Sequence, residues 1–81
     1  MKPADESILR FLRRYDELEF TTGNLARNIP LDRSYASSRL SVLAKKGFVE
    51  KDEPDTGYPF YSISSRGVAF LDGDLDPDDI N

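Results

Sequence analysis

Hydroxyl and basic side chains are concentrated in one segment of the chain, between residues 33 and 46. Its candidate binding residues are Arg33, Ser34, Tyr35, Ser37, Ser38, Arg39, Ser41 and Lys45. A serine hydroxyl both donates and accepts hydrogen bonds, and arginine and lysine bind anionic groups. If the segment is helical, Ser34, Ser38 and Ser41 share one face, opposite the apolar residues. Taken alone, such a face is typical of hydrated surface, so its function has to be inferred from the neighbouring elements.

The other chemistry available to this chain is limited. The 81 residues include neither histidine nor cysteine, so the commonest general base, the commonest metal ligand and any disulfide are missing. No spacing of carboxylates, serines or lysines suggests an active site, and we expect no enzyme, no metal and no cofactor.

No apolar run approaches the roughly 18 residues of a membrane span, and the N-terminus lacks the apolar segment of a signal peptide. These features predict a cytoplasmic protein that does not contact a membrane.

Two helices are predicted before the candidate segment, in a chain long enough for a single domain. The apolar stripe of the first helix consists of Ile8, Phe11, Leu12 and Tyr15. Residues 19–20 are expected to form a short extended link. Thr21 or Thr22 then caps a second helix, which runs through Asn28.

The candidate segment is itself predicted to be a helix, over residues 33 to 46. Pro30 interrupts the preceding helix and gives a tight turn, because proline disfavours a helical conformation in the residue before it. Asp32 is a good N-terminal cap, and Gly47 is the residue preferred just past a helix end. Ala36, Leu40 and Leu43 then face the core.

A β-hairpin and a short helix are predicted after the candidate segment. The β-prone runs at residues 48–51 and 59–63 are separated by a turn-rich stretch, and Tyr61 and Ile63 are expected to point inward. Ser64 or Ser65 caps a fourth helix that ends near residue 71. We therefore predict an α+β fold, mostly α, with a folded domain over residues 1–71 and an acidic flexible tail over residues 72–81.

The order of these elements and several local motifs resemble those of winged helix-turn-helix transcription regulators. The resemblance is carried by Leu25-Ala26, by Ile29-Pro30-Leu31, by the run from Arg33 to Val49 and by the run from Tyr61 to Leu71. In its Ser-Tyr-Ala-Ser helix start, its Leu-Ala-x-x-Gly-Phe-Val exit and its acidic C-terminus, the chain is similar to short haloarchaeal phage-repressor-like proteins. The resemblance implies a three-helix core with a two-stranded wing, sequence-specific binding of double-stranded DNA, and repression.

With that fold, the third helix becomes the element that enters the major groove. Small hydroxyl residues let a helix approach base edges closely, and Arg33 is expected to contact a guanine or a phosphate. Tyr35 can touch a thymine methyl or reach a phosphate. Arg39, at the edge of the apolar stripe, has two equal alternatives, namely DNA contact or an ion pair with an acidic residue of helix 1 or 2. The candidate wing residues are Lys51, Thr56 and Tyr58.

The distribution of charge qualifies this expectation. The net charge is −4, but five of the 15 acidic residues lie in residues 72–81, which carry no base. The basic face lies within residues 20–51, whereas Asp52, Glu53 and Asp55 make the hairpin acidic where many relatives are basic. The excess of Asp over Glu and of Arg over Lys fits an archaeal, halophilic protein.

We therefore expect a transcriptional repressor that binds DNA as a homodimer, without an evident small-molecule effector. The alternative is a winged helix that serves as a protein-interaction or dimerisation module, using an apolar patch around Tyr58 and Phe60. A continuous positive strip along Arg33, Lys45 and the hairpin would favour the first interpretation.

Overall fold

Four helices and one hairpin follow each other in the computed structural model, which describes residues 2–55 and 57–73. The elements are α1 (Pro3–Arg14), α2 (Thr22–Asn28), α3 (Arg33–Lys45), β1 (Val49–Asp52), β2 (Phe60–Ile63) and α4 (Ser65–Leu71). The two strands are antiparallel, and Val49 lies opposite Ile63. The predicted order, mostly helical with a two-stranded hairpin and a short last helix, is confirmed.

Capping side chains set where the helices begin. Thr21 accepts a hydrogen bond from the backbone N–H of Asn24, and Asp32 accepts one from the N–H of Tyr35 at 3.2 Å. Each bond satisfies an amide that has no partner within its own helix. At the other end of α3, Gly47 has φ of +83°, a left-handed conformation that glycine adopts without strain. Helix α3 therefore lies within one residue of its predicted limits.

The core is formed where α1, α2, α3 and the hairpin meet. Its buried residues are Ile8, Leu9, Leu12, Leu25, Ile29, Ala36, Leu40, Leu43, Phe48, Val49 and Tyr61. In α1 the predicted stripe needs a correction, because Leu9 is fully buried and Tyr15 is 39% exposed. Helix α1 packs on α3, α4 and β2, and contact on several sides buries a wider arc than one stripe. Tyr15 lies past the last helical residue, where its ring packs against Phe11 and Phe20 at the edge of the core.

The link between α1 and α2 is extended, as predicted, and it also pairs with the hairpin. The N–H of Phe20 donates to the carbonyl of Tyr61 at 2.9 Å, and the N–H of Tyr61 donates back at 2.8 Å. This bridge attaches the chain just before α2 to β2, the second strand of the hairpin. Tyr61 is buried and Ile63 partly buried, which agrees with the inward direction expected for both.

The predicted acidic tail lies mostly outside the described residues, which include only Asp72 and Gly73 of it. Asp72 forms an ion pair with Arg13 of α1. In the described part of the chain, no helix has the length and apolar character needed to cross a membrane.

Candidate nucleic-acid interface

Helix α3 presents a polar face because its opposite face is anchored in the core. Ala36, Leu40 and Leu43 are fully buried, at helical spacing. The side chains turned away from them are exposed, and they include Ser34, Ser37, Ser38, Ser41 and Lys45. A helix with small hydroxyl side chains on its open face can approach another surface closely and still offer donors and acceptors to it. The polar face predicted from the sequence is therefore present.

A groove of 830 Å³ lies between α3, the start of α2 and the hairpin. Its lining residues are Thr21, Thr22, Gly23, Arg33, Ser34, Ser37, Ser41, Lys51, Tyr58, Pro59 and Tyr61. The fold thus brings four predicted helix residues together with two of the predicted wing residues. Ser38 and Lys45 are exposed on α3 without lining the groove, and Thr56 lies outside the described residues.

The start of α2 contributes residues that sequence reasoning did not include in the site. The sequence predicts Thr21 and Thr22 only as helix caps, although both residues also line the groove. Gly23 follows them, and a Cβ added there would lie 3.9 Å from Cζ of Arg33. The Arg33 guanidinium therefore lies over the first turn of α2, and within the described residues it has no hydrogen-bond or ion-pair partner. The pair of hydroxyl residues at the start of the predicted second helix was the available signal.

The wing carries one paired cation and an exposed aromatic ring. The ammonium of Lys51 lies 2.9 Å from Oε1 of Glu53. The hydrogen bond to Glu53 raises the pKa of Lys51, and a smaller contribution comes from Tyr61. Because part of its charge is balanced within the hairpin, Lys51 offers less to an anion than its residue type suggests. Tyr58 is 67% exposed at the edge of the groove.

Arg39, predicted either to contact DNA or to pair with an acidic residue, forms an ion pair with α1. Its Nε and Nη2 donate to the two carboxylate oxygens of Asp5, each at 2.7 Å. The Arg39 side chain is 17% exposed and that of Asp5 only 2%. These hydrogen bonds raise the pKa of Arg39, against a partial opposing effect of burial. Of the two alternatives, the ion pair with helix 1 is the one formed.

A helix-turn-helix made by α2 and α3, followed by a hairpin, defines the class as winged helix-turn-helix. A model of the winged helix-turn-helix phage repressor family matches residues 1–81, and the chain belongs to this family. It is also 32% identical, over 80 residues, to the repressor protein of Halobacterium phage phiH. The match covers 99% of this chain and 89% of that relative.

Solved structures with the same fold are much less similar in sequence. A cysteine-to-serine variant of E. coli MarR in complex with operator DNA superposes with a TM-score of 0.77 at 19% identity, over 99% of this chain and 59% of that one. A possible transcriptional regulator from Methanosarcina mazei Go1 gives a TM-score of 0.75 at 19% identity, over 88% of this chain and 62% of that one. The chain thus spans little more than half the length of these structures. At such identities the likeness establishes the winged-helix fold.

Proposed function

We propose that this protein is a sequence-specific DNA-binding repressor that inserts α3 into the major groove. The observation that carries the proposal is the exposed hydroxyl face of α3 beside the groove lined by the start of α2 and the hairpin. The B-DNA major groove, about 12 Å wide, admits one helix and displays a distinct set of donors and acceptors for each base pair. Membership of a phage repressor family supports the same function.

The proposed contacts fall into two groups. Ser34, Ser38 and Ser41 read base edges, since a hydroxyl can donate or accept. Arg33 binds a guanine or a phosphate from the first turn of α3, and Lys45 binds a phosphate from its last turn. Tyr35 is 40% exposed and lies at the margin of this face, where it reaches a thymine methyl or a phosphate.

One DNA strand passes along the groove between α3 and the wing. Thr21, Thr22 and Ser37 offer hydroxyls to its phosphates. Because Gly23 has no side chain, the protein backbone can approach the DNA closely there. Lys51 and Tyr58 face the same DNA strand from the hairpin. Thr56 is proposed as a third wing contact. Tyr58 borders a groove lined by five serine and threonine residues and two cations, and Phe60 is half-buried, so the hairpin favours this use over an apolar protein-docking surface.

The repressor acts in the cytoplasm as a homodimer that places two copies of α3 in successive major grooves, about 34 to 36 Å apart. Light scattering of the protein alone and with operator DNA tests the stoichiometry. A single protomer on a single half-site, with no second copy bound at saturation, would contradict this arrangement.

The test of the function begins with selection of bound DNA from a random library, followed by binding measurements on the selected sequence. Arg33→Ala is expected to weaken that binding roughly 5- to 150-fold, because one good bidentate contact discriminates by about 1–3 kcal/mol. Ser38→Glu is expected to abolish it by placing a carboxylate against the DNA.

Two variants serve as matched controls on the outer face of α1. Arg10→Ala removes an exposed arginine that is paired with Glu6, and Ser7→Glu adds the same charge elsewhere. Equal effects in test and control variants, or no enriched sequence, would refute the proposal.

A further inference from the structure

Asp5 is the one charged residue that the structure buries among the described residues, with 1% of its surface exposed. Besides the two bonds from Arg39, its Oδ2 accepts a hydrogen bond from the backbone N–H of Lys2 at 3.3 Å. A carboxylate held by three donors is fixed in position and orientation. It stands at the first turn of α1 and is attached to the middle of α3, 34 residues further along the chain.

Arg39 lies at the boundary between the buried and the open faces of α3. The helical rotation of about 100° per residue places it next to Leu40 and Leu43 on one side and next to Tyr35, one turn earlier, on the other. The long, flexible side chain of an arginine at this boundary can point its guanidinium toward the core or toward a DNA strand at the edge of the major groove. The two bonds to Asp5 decide between these directions.

We propose that Asp5 is a positioning residue for DNA recognition, which withholds Arg39 from the phosphate backbone and fixes the rotation of α3. The inference rests on the proposed function. The apolar contacts of Leu40 and Leu43 hold α3 against the core but are not directional. The planar guanidinium, bonded at two points to a buried carboxylate, adds the directional restraint that non-directional contacts lack.

Loss of this pair therefore has a consequence that simple destabilisation does not have. A released Arg39 adds one cation at the DNA interface and makes one more phosphate contact, which every sequence offers equally. Each phosphate contact changes the slope of log K against log salt by about 0.9. At the same time, an α3 that is less firmly oriented aligns its hydroxyls with base edges less well. Affinity for random DNA rises while discrimination falls.

Asp5→Asn tests this with two readouts, the salt slope on random DNA and the ratio of specific to random affinity. With one released Arg39 in each protomer of the proposed homodimer, the slope is expected to steepen by about 1.8, and the ratio to fall at least fivefold. Glu6→Gln is the matched control, since it removes the same charge from the neighbouring residue, where the carboxylate is exposed and binds Arg10. Its slope and ratio are expected to remain near those of the unmodified protein. In Asp5→Asn/Arg39→Gln the added slope is expected to disappear, since no cation is released.

Arg39→Lys provides a second test if Asp5→Asn does not fold. Its ammonium keeps the charge pair but cannot bond both carboxylate oxygens in a fixed plane. The ratio of specific to random affinity is expected to fall at least threefold in protein whose circular dichroism matches that of the unmodified chain. If Arg39 were only structural, specific and random binding would fall in proportion and both slopes would stay unchanged.

The outcomes separate this inference from the proposed function. Selective DNA binding by the unmodified protein, with Asp5→Asn indistinguishable from Glu6→Gln, would overturn the role of Asp5 alone. An unaltered ratio in Arg39→Lys would do the same. No DNA binding by the unmodified protein at any salt concentration would overturn the proposed function and this inference with it.

Discussion

Substitution of alanine for glycine should have opposite effects at two helical positions, Gly67 in α4 and Gly23 in α2. Both lie in the first turn of a short helix, so the gain in helix propensity is similar and at most about 1 kcal/mol. The surroundings differ. A Cβ at Gly23 would make only ordinary contacts with Arg33, at 3.9–4.0 Å. A Cβ at Gly67 would lie 2.8 Å from Cγ1 of Ile63 and would clash with the backbone carbonyl oxygen of Phe48.

The clash at Gly67 cannot be relieved by a side-chain rotation alone. Phe48 is fully buried, and its carbonyl accepts a hydrogen bond from the N–H of Ser64 at 3.2 Å. Helix α4 must therefore move outward, which costs about 1–3 kcal/mol for overpacking and about 1 kcal/mol for the weakened hydrogen bond. After subtraction of the propensity gain, Gly67→Ala is expected to lose about 2 kcal/mol of unfolding free energy. For a domain of this size that lowers Tm by about 10 °C.

Thermal unfolding followed by circular dichroism, at one fixed salt concentration and without DNA, measures both variants. Gly23→Ala is expected to unfold at the same temperature as the unmodified chain or a few degrees higher. A Gly67→Ala variant at least as stable as the unmodified chain would refute the close approach of α4 to Phe48.

Three further predictions concern the caps, the wing and the tail. Asp32→Ala should cost about 1 kcal/mol of unfolding free energy, seen in the same thermal assay, because the amide of Tyr35 loses its acceptor; an unchanged Tm would contradict this. Glu53→Gln should release Lys51 and steepen the salt slope of DNA binding by up to about 1.8 for the homodimer, whereas a slope that stays constant would show that Lys51 gains no phosphate contact. A chain ending at residue 73 should bind random DNA more tightly in a low-salt fluorescence titration if the tail repels DNA, and equal affinity would exclude that role.

The limits of α3 could be predicted because they depend on neighbours in sequence. Asp32 caps an amide three residues away, and Gly47 supplies a local backbone conformation. Binary patterning similarly identified Ala36 and Leu40 as core residues. Signals of this kind need no knowledge of how the helices pack.

The partner of Arg39 could not be predicted, since it depends on how α1 crosses α3. Asp5 is 34 residues away, in the first turn of α1. An acidic residue there is already explained by its hydrogen bond from the backbone N–H of Lys2 and by the helix dipole. The contribution of Thr21 and Thr22 to the groove was missed for the same reason. The pairing of Lys51 with Glu53, in contrast, is local, because the two residues are only two positions apart in the sequence.

These pairings bear on how the protein would bind DNA in concentrated salt. Four cations belong to the predicted interface, namely Arg33, Arg39, Lys45 and Lys51, and the structure pairs Arg39 with Asp5 and Lys51 with Glu53. If the remaining two each contact one phosphate, the salt slope of a homodimer is about 4, against about 7 if all four took part. A binding mode that depends less on released counterions loses less affinity as salt increases. Because two of the four cations are already paired within the protein, we expect the hydroxyl face of α3, more than charge, to carry affinity; a measured slope near 7 would refute this.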